Sequence, residues 1–214
     1  MTSWSINRVA WGIWALTLLG TIVAFPALPS TMAEHFNATG QMYGTTASWI
    51  GAFILPVITL LVLLLFTAIP YIDPLKVNIQ QFRRQYDTFV VLLMLFFAVI
   101  QSLIISRNLG STVDPMYVVL PAVGVLMFYV GTILPKTRRN WFIGIRTPWT
   151  ISSDHVWQKT HELGGRLFQV LGVVIILGTL APAFALQIIL IPLVIIVIGL
   201  VAYSYVIYEQ DRKA

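Results

Sequence analysis

The chain contains no cysteine. This excludes disulfides, thiolate metal sites and a cysteine nucleophile, and leaves the redox compartment unreadable. Charge is also scarce. Only 10% of the 214 residues are Asp, Glu, Lys or Arg, against about a quarter in soluble domains. No P-loop and no G-x-S-x-G motif occurs. The fragment HELGG begins like a zinc-protease motif, yet Gly165 stands where the second metal-binding histidine is required. His155 and His161 lie six apart, on different faces of any helix, and make poor co-ligands. His161 therefore reads as a hydrogen-bonding or packing residue. No metal, cofactor or catalytic group is expected, so the chain reads as a non-enzyme.

What is present is apolar. Hydrophobic residues make up 58% of the chain, and its mean hydropathy is +0.85. A bilayer core of about 30 Å needs ~20 apolar helical residues to cross it. Residues 9–25, 49–69, 88–106, 115–134, 167–180 and 184–208 meet or approach that length. The fifth is short and is expected to borrow a turn from the Gly164-Gly165 region. None of the six contains Asp, Glu, Lys, Arg or His. Ion-coupled transporters place such groups at membrane depth, so proton- or sodium-coupled transport is disfavoured, while a path for a neutral substrate stays open. The first apolar run is about 17 residues, longer than a usual signal-peptide core, and is expected to be a retained anchor helix. Pro56, Pro121 and Pro192 fall inside spans, where neighbouring groups must satisfy the carbonyls they free.

Basic residues orient this bundle. Arg8, Lys76, Arg83, Arg84, Lys136, Arg138, Arg139, Arg146, Lys159, Arg166, Arg212 and Lys213 fall on one side of six spans, and Arg107 alone on the other. Positive loops stay inside, so both termini are expected in the cytoplasm. The expected fold class is an all-α integral membrane protein: six transmembrane helices, N-in and C-in, in the cell membrane. It has an outer first loop and an inner amphipathic arm between helices 4 and 5. With the charges spread between apolar spans, the bilayer is the expected partner and direct nucleic-acid binding is not.

The arm concentrates chemistry. RNWFIGIRTPWT, residues 139–150, holds two tryptophans, two arginines, a glycine and a proline. Ser153 and Asp154 read as the start of a short helix carrying Trp157 and His161 on one face, ended or bent at Gly164-Gly165. Two readings fit. In one, the arm is an amphipathic connector on the inner surface, with Trp141, Trp149 and Trp157 dipping into the interface and the arginines on lipid. In the other, Arg146 presents its guanidinium to a partner or a polar cavity. The outer loop, residues 26–44, reads as an ordered external cap with Pro, Asn and Gly as turn punctuation. Its Glu34-His35 pair is a weak cation site by itself, and Asn37-Ala38-Thr39 matches a glycosylation triplet.

Asn140, Gly144, Ile145, Arg146, Thr147, Pro148, Trp149, Thr150, Trp157, Thr160, His161 and Gly165 together resemble the cytoplasmic motif of the SdpI family. Upstream, His35, Phe36, Asn37 and Gly40 resemble the H-F-N-x-x-G loop of the domain that often precedes it, with Ala33 where a proline is expected. The resemblance implies an N-terminal two-helix region over 1–70 and a four-helix family region over 71–214, together one membrane domain. It also implies immunity to a secreted peptide toxin, with signalling through a transcriptional repressor held at the membrane. Outer binding candidates are then Glu34, His35, Phe36, Asn37 and Gly40. Inner candidates are Asn140, Trp141, Gly144, Arg146, Thr147, Trp149, Trp157, Thr160 and His161. The alternative function is a transporter or channel for a small or lipid-like molecule.

Overall fold

The computed structural model describes residues 3–36 and 42–213. Six helices among them are long and apolar enough to cross a bilayer. They are α1 (Ser3–Ala24), α2 (Ser48–Ile72), α4 (Arg83–Asn108), α5 (Met116–Ile133), α7 (Asp154–Leu177) and α8 (Ala185–Lys213). Two short helices, α3 (Lys76–Gln81) and α6 (Pro148–Ser152), lie in the loops. The chain is an all-α multi-pass membrane protein, as its hydropathy requires. An even number of spans returns both termini to one side, which we call the terminus side.

The first loop holds more order than its turn residues suggest. Thr31–Phe36 (β1) and Met42–Ala47 (β2) form an antiparallel hairpin, with His35 opposite Tyr43 and Thr31 opposite Ala47. The threonines and aromatics of these stretches favour a pleated backbone. Asn108, at the end of α4, fastens the hairpin: Ala33 N–H donates to its Oδ1 at 3.0 Å, and its Nδ2 donates to Ala33 O at 3.0 Å. Met32 is fully buried beneath, packed where Gly51 leaves room.

Helix α7 corrects the reading of residues 153–180. The expected short surface helix and the fifth span are one continuous helix, and Gly164-Gly165 neither ends nor bends it away. The glycines serve close approach instead. A Cβ at Gly165 would lie 2.6 Å from Pro135 Cγ and 2.8 Å from Gly131 O. One heptad on, a Cβ at Gly172 would lie 2.6 Å from Gly124 O. Helices α5 and α7 thus touch through paired glycines, backbone to backbone, the contact that drives association where lipid is as apolar as leucine.

Pro56 shows how a freed carbonyl is satisfied. Its ring removes the N–H that would reach Ala52 O, and Gln101 Nε2 on α4 donates there instead at 2.9 Å. The same nitrogen reaches Thr21 Oγ1 on α1 at 3.1 Å. Three helices are tied by one amide.

Two clusters of buried apolar side chains stand out among the described residues. One joins α1, α2, α3 and α4 around Leu63, Phe82, Tyr86 and Met94, and the other joins α5, α7 and α8 around Leu120, Leu171 and Ile175, while buried residues such as Met32, Trp157 and Leu200 stand outside both. Phe142 and Ile143, between α5 and α6, pack against the first cluster although their chain neighbours belong to the second.

Candidate functional site

The segment from Thr137 to Ser153 crosses the terminus side of the bundle, and side-chain hydrogen bonds hold nearly every turn of it. Asn140 is fully buried. Its Oδ1 accepts from Phe142 N at 3.0 Å and Ile143 N at 2.6 Å, while Nδ2 donates to Arg138 O at 2.8 Å and Ile143 O at 2.9 Å. One amide therefore replaces the ladder that a loop lacks, since buried backbone groups must find partners. Asp73, after α2, bridges to the same segment: its Oδ1 accepts from Leu75 N at 2.6 Å and its Oδ2 from Trp141 N at 2.9 Å. Asn78 on α3 donates to Arg139 O at 2.7 Å.

Gly144 and His161 form the next joint. Gly144 has φ +116°, a region that favours glycine. The following N–H, of Ile145, donates to His161 Nε2 at 2.9 Å, and His161 Nδ1 lies 2.7 Å from Trp157 O. An Nε2 that accepts must be unprotonated, so the proton sits on Nδ1 and points at the carbonyl. This is the neutral tautomer, fixed by two backbone groups. His161 also stacks on Trp157, rings 4.1 Å apart and 17° from parallel. Trp157 Nε1 donates to Thr137 O at 3.2 Å.

Trp157 is thus a core residue, 1% exposed, and the expected interfacial anchor at this position is corrected: its stacking and its indole bond both point inward. Trp149 is half-buried and packs on Tyr205 of α8, with centroids 5.1 Å apart. Trp141 alone of the three is largely exposed.

Thr147 caps α6. Thr150 N donates to Thr147 Oγ1 at 3.1 Å, and Thr147 N to Thr150 Oγ1 at 2.8 Å. This reciprocal pair is a capping box with threonine at both positions. Thr147 Oγ1 also meets Ser204 Oγ of α8 at 3.0 Å. Ser153 then caps α7, and Arg139 pairs with Asp154, Nε to Oδ1 at 3.0 Å. At the rim, His155 Nδ1 lies 2.9 Å from Asp211 near the end of α8.

Of the inner candidates, Asn140, Gly144, Thr147, Trp157 and His161 are frame, and Thr160 is fully buried behind them. Arg146 and Trp141 face outward. Arg146 Nη1 donates to Trp141 O, and the two side chains share a surface depression with Pro148, Ile151 and Ser152. Beneath the segment lies an apolar cavity of about 290 Å³, roofed by Phe142–Ile145 and walled by Phe66, Tyr86, Phe89, Ile133 and Phe168.

The outer candidates stand at the opposite end. Glu34, His35 and Phe36 complete β1, while Asn37 and Gly40 lie outside the described residues. The structure does not bring the two sets together. Sequence reasoning missed Asp73, Asn78 and Ser204 as parts of the frame. Asp73 before Pro74 carries a turn signal, and Ser204 is an isolated polar group in a long apolar helix, so both left a trace.

Residues 136–208 match the model of the SdpI/YfhL protein family, and residues 12–60 match a domain of unknown function, DUF1648. The chain is 24% identical over 207 residues to the protein named Immunity protein SdpI of Bacillus subtilis (strain 168), covering 97% of this chain and 96% of that one. No solved structure matches.

Proposed function

We propose that this chain, whose residues 136–208 carry the SdpI/YfhL segment, is a membrane immunity protein against a secreted peptide toxin. The observation that carries the reading is the end-to-end likeness to a protein named for immunity. Both termini and the basic segment lie in the cytoplasm, by the bias of Lys and Arg toward inner loops, and the hairpin lies outside. The toxin is met from the hairpin side, where Glu34, His35, Phe36, Asn37 and Gly40 are the binding candidates. A cytoplasmic repressor is met at Trp141 and Arg146, supported by the remaining inner candidates as a rigid frame. Rigidity favours recognition because less ordering is required on binding.

The test is survival of a sensitive strain expressing the protein, challenged with secreted antimicrobial peptides. Protection above the empty-vector control is expected. His35→Ala should weaken protection and leave membrane co-fractionation of a tagged repressor intact, and Trp141→Ala should do the reverse. Parallel loss of both activities sinks the two-sided arrangement. Absence of both, with solute movement across liposomes, replaces the reading by a transporter.

A further inference from the structure

The terminus side of the molecule carries a charge imbalance that its own side chains do not settle. Every carboxylate there already has a partner. Asp73 accepts from Leu75 N and Trp141 N, Asp87 pairs with Arg83, and Asp154 with Arg139. Glu162 accepts from Gln158 Nε2 at 3.0 Å, Glu209 pairs with Arg212 at 3.5 Å, and Asp211 meets His155 at 2.9 Å. The remaining acids, Glu34 and Asp114, belong to the hairpin end. Among the described residues, Arg146 forms an ion pair with none of these.

Its place sets Arg146 apart from the other cations of this side. It lines a depression of about 400 Å³ whose other walls are Trp141, Thr147, Pro148, Ile151 and Ser152, with no carboxylate in the lining. Trp141 is 51% exposed, and Arg146 is exposed beside it. Both are nonetheless held in place. Trp141 N donates to Asp73 Oδ2 at 2.9 Å, and Arg146 Nη1 donates to Trp141 O. A guanidinium has five N–H donors, so most of this one remains for an outside acceptor. Arg139 Nη1 donates to Ile151 O at 3.0 Å, which sets a second guanidinium against the same wall.

We propose that this depression is the docking site for an acidic segment of a cytoplasmic protein. A Glu or Asp carboxylate sits on the Arg146 fork, and an adjoining apolar side chain lies against Trp141, Pro148 and Ile151. The proposal rests on the reading that this side faces the cytoplasm and meets a protein there, and it adds the chemistry of that partner. The planar fork of arginine matches a carboxylate with paired hydrogen bonds, and Trp and Arg are the residues that most often anchor protein interfaces. A second copy of this chain is a poor occupant, because its carboxylates on this side are already engaged. A lipid headgroup is also disfavoured. Arg166 is the last charge of α7 before its apolar run, and along the helix Asp154 stands about 18 Å further out. The headgroup layer is only about 5–8 Å thick. Ile151 and Ser152 directly precede Ser153 and Asp154, so the rim they form stands clear of that layer.

The experiment uses the full chain in phosphatidylcholine nanodiscs and a pair of soluble rhodamine-labelled peptides, identical but for Leu-Glu-Leu-Glu or Leu-Gln-Leu-Gln at the centre. Fluorescence anisotropy reads binding. The Glu probe should bind about five- to twentyfold more tightly than the Gln probe, the range of a charge-assisted bond at a partly exposed site. Arg146→Gln should erase that preference while leaving the Gln probe bound as before, which shows the site still folded. Arg138→Gln, an exposed cation outside the depression, should keep the preference, and Trp141→Ala should weaken both probes. Equal binding of the probes to the wild type overturns the proposal. So does a preference that survives Arg146→Gln, or one that Arg138→Gln removes equally, since either assigns it to the basic surface at large. In discs containing phosphatidylglycerol the difference between wild type and Arg146→Gln should persist; if it vanishes, a lipid headgroup holds the arginine and the proposal fails. Membrane co-fractionation of a tagged repressor separates the two readings. A repressor retained without any probe preference overturns the proposal and leaves the proposed function intact. A probe preference with no repressor retained sustains the acidic-segment site and removes the repressor as its occupant.

Discussion

Replacing Gly144 by alanine adds one methyl group, yet the joint it enters has no room for it. The backbone there has φ +116°, and holding an L residue in such a region costs about 1–3 kcal/mol. The new Cβ would run into His161 Nε2 and lie 3.1 Å from the Trp157 ring. Relieving that clash moves His161 away from Ile145 N, whose bond at 2.9 Å then breaks. A buried donor left unpaired costs about 1–3 kcal/mol more. The two effects overlap, so Gly144→Ala should destabilise by about 3–5 kcal/mol, a fall in melting temperature on the order of 10 °C for a chain of this length. The assay is thermal unfolding of purified protein in detergent, followed by the fluorescence of its seven tryptophans, of which Trp157 lies in the joint. Gly12→Ala is the control. It too replaces a glycine, but nothing lies within 4 Å of the new Cβ, and it should melt at or slightly above the wild type through better helix propensity. If Gly144→Ala and Gly12→Ala melt together, the description of residues 144–161 as a single locked joint is wrong.

Three further outcomes are expected. Gly165→Leu pushes a side chain into Pro135 and the Gly131 backbone and should cost about 3 kcal/mol or more by overpacking; unchanged detergent stability would refute the glycine contact of α5 and α7. Arg146→Lys should abolish repressor recruitment at normal protein level, since the planar fork is lost, whereas exposed Arg138→Lys should be nearly silent; equal tolerance returns Arg146 to a lipid contact. In intact cells, Ser111→Cys should react with an impermeant thiol reagent and Ser152→Cys should not, and labelling at Ser152 would invert the proposed topology.

Much of this fold was legible because bilayer thickness imposes it. Six apolar runs become six helices, and all but α5 extend past their runs at one or both ends, since polar residues such as Arg83 and Asn108 continue a helix once the span has nucleated it. The hairpin was not legible. Its strands carry the right threonines and aromatics, but six residues each is too short for alternation to stand out against the turn signals around them. Gly164 and Gly165 misled for a different reason. Helix-breaking by glycine is a rule of exposed helices, and here contact with α5 outweighs the propensity. Trp157 was misplaced because interfacial tryptophans are common at span ends. Nothing in its local sequence announces that Gly144, thirteen positions upstream in another element, leaves it a place to stack. The histidine was read correctly as a bonding and packing group, because its spacing to any second ligand was already wrong.

Helix α4 is fastened at both ends. Asn108 grips the hairpin through Ala33, and Phe82 and Tyr86, at the other end, wall the cavity roofed by Phe142–Ile145. At 1.5 Å per residue its 26 residues make a rod about 39 Å long. Pivoted near its middle, such a rod works as a lever: each degree of tilt displaces either end by about 0.3 Å on that same rise, in opposite senses. A few degrees imposed where the hairpin is gripped would shift the Phe82 and Tyr86 rings by about 1 Å. The cavity those rings wall would change shape with them. Whatever presses on the hairpin therefore also presses, through a single helix, on the underside of the segment that carries Arg146.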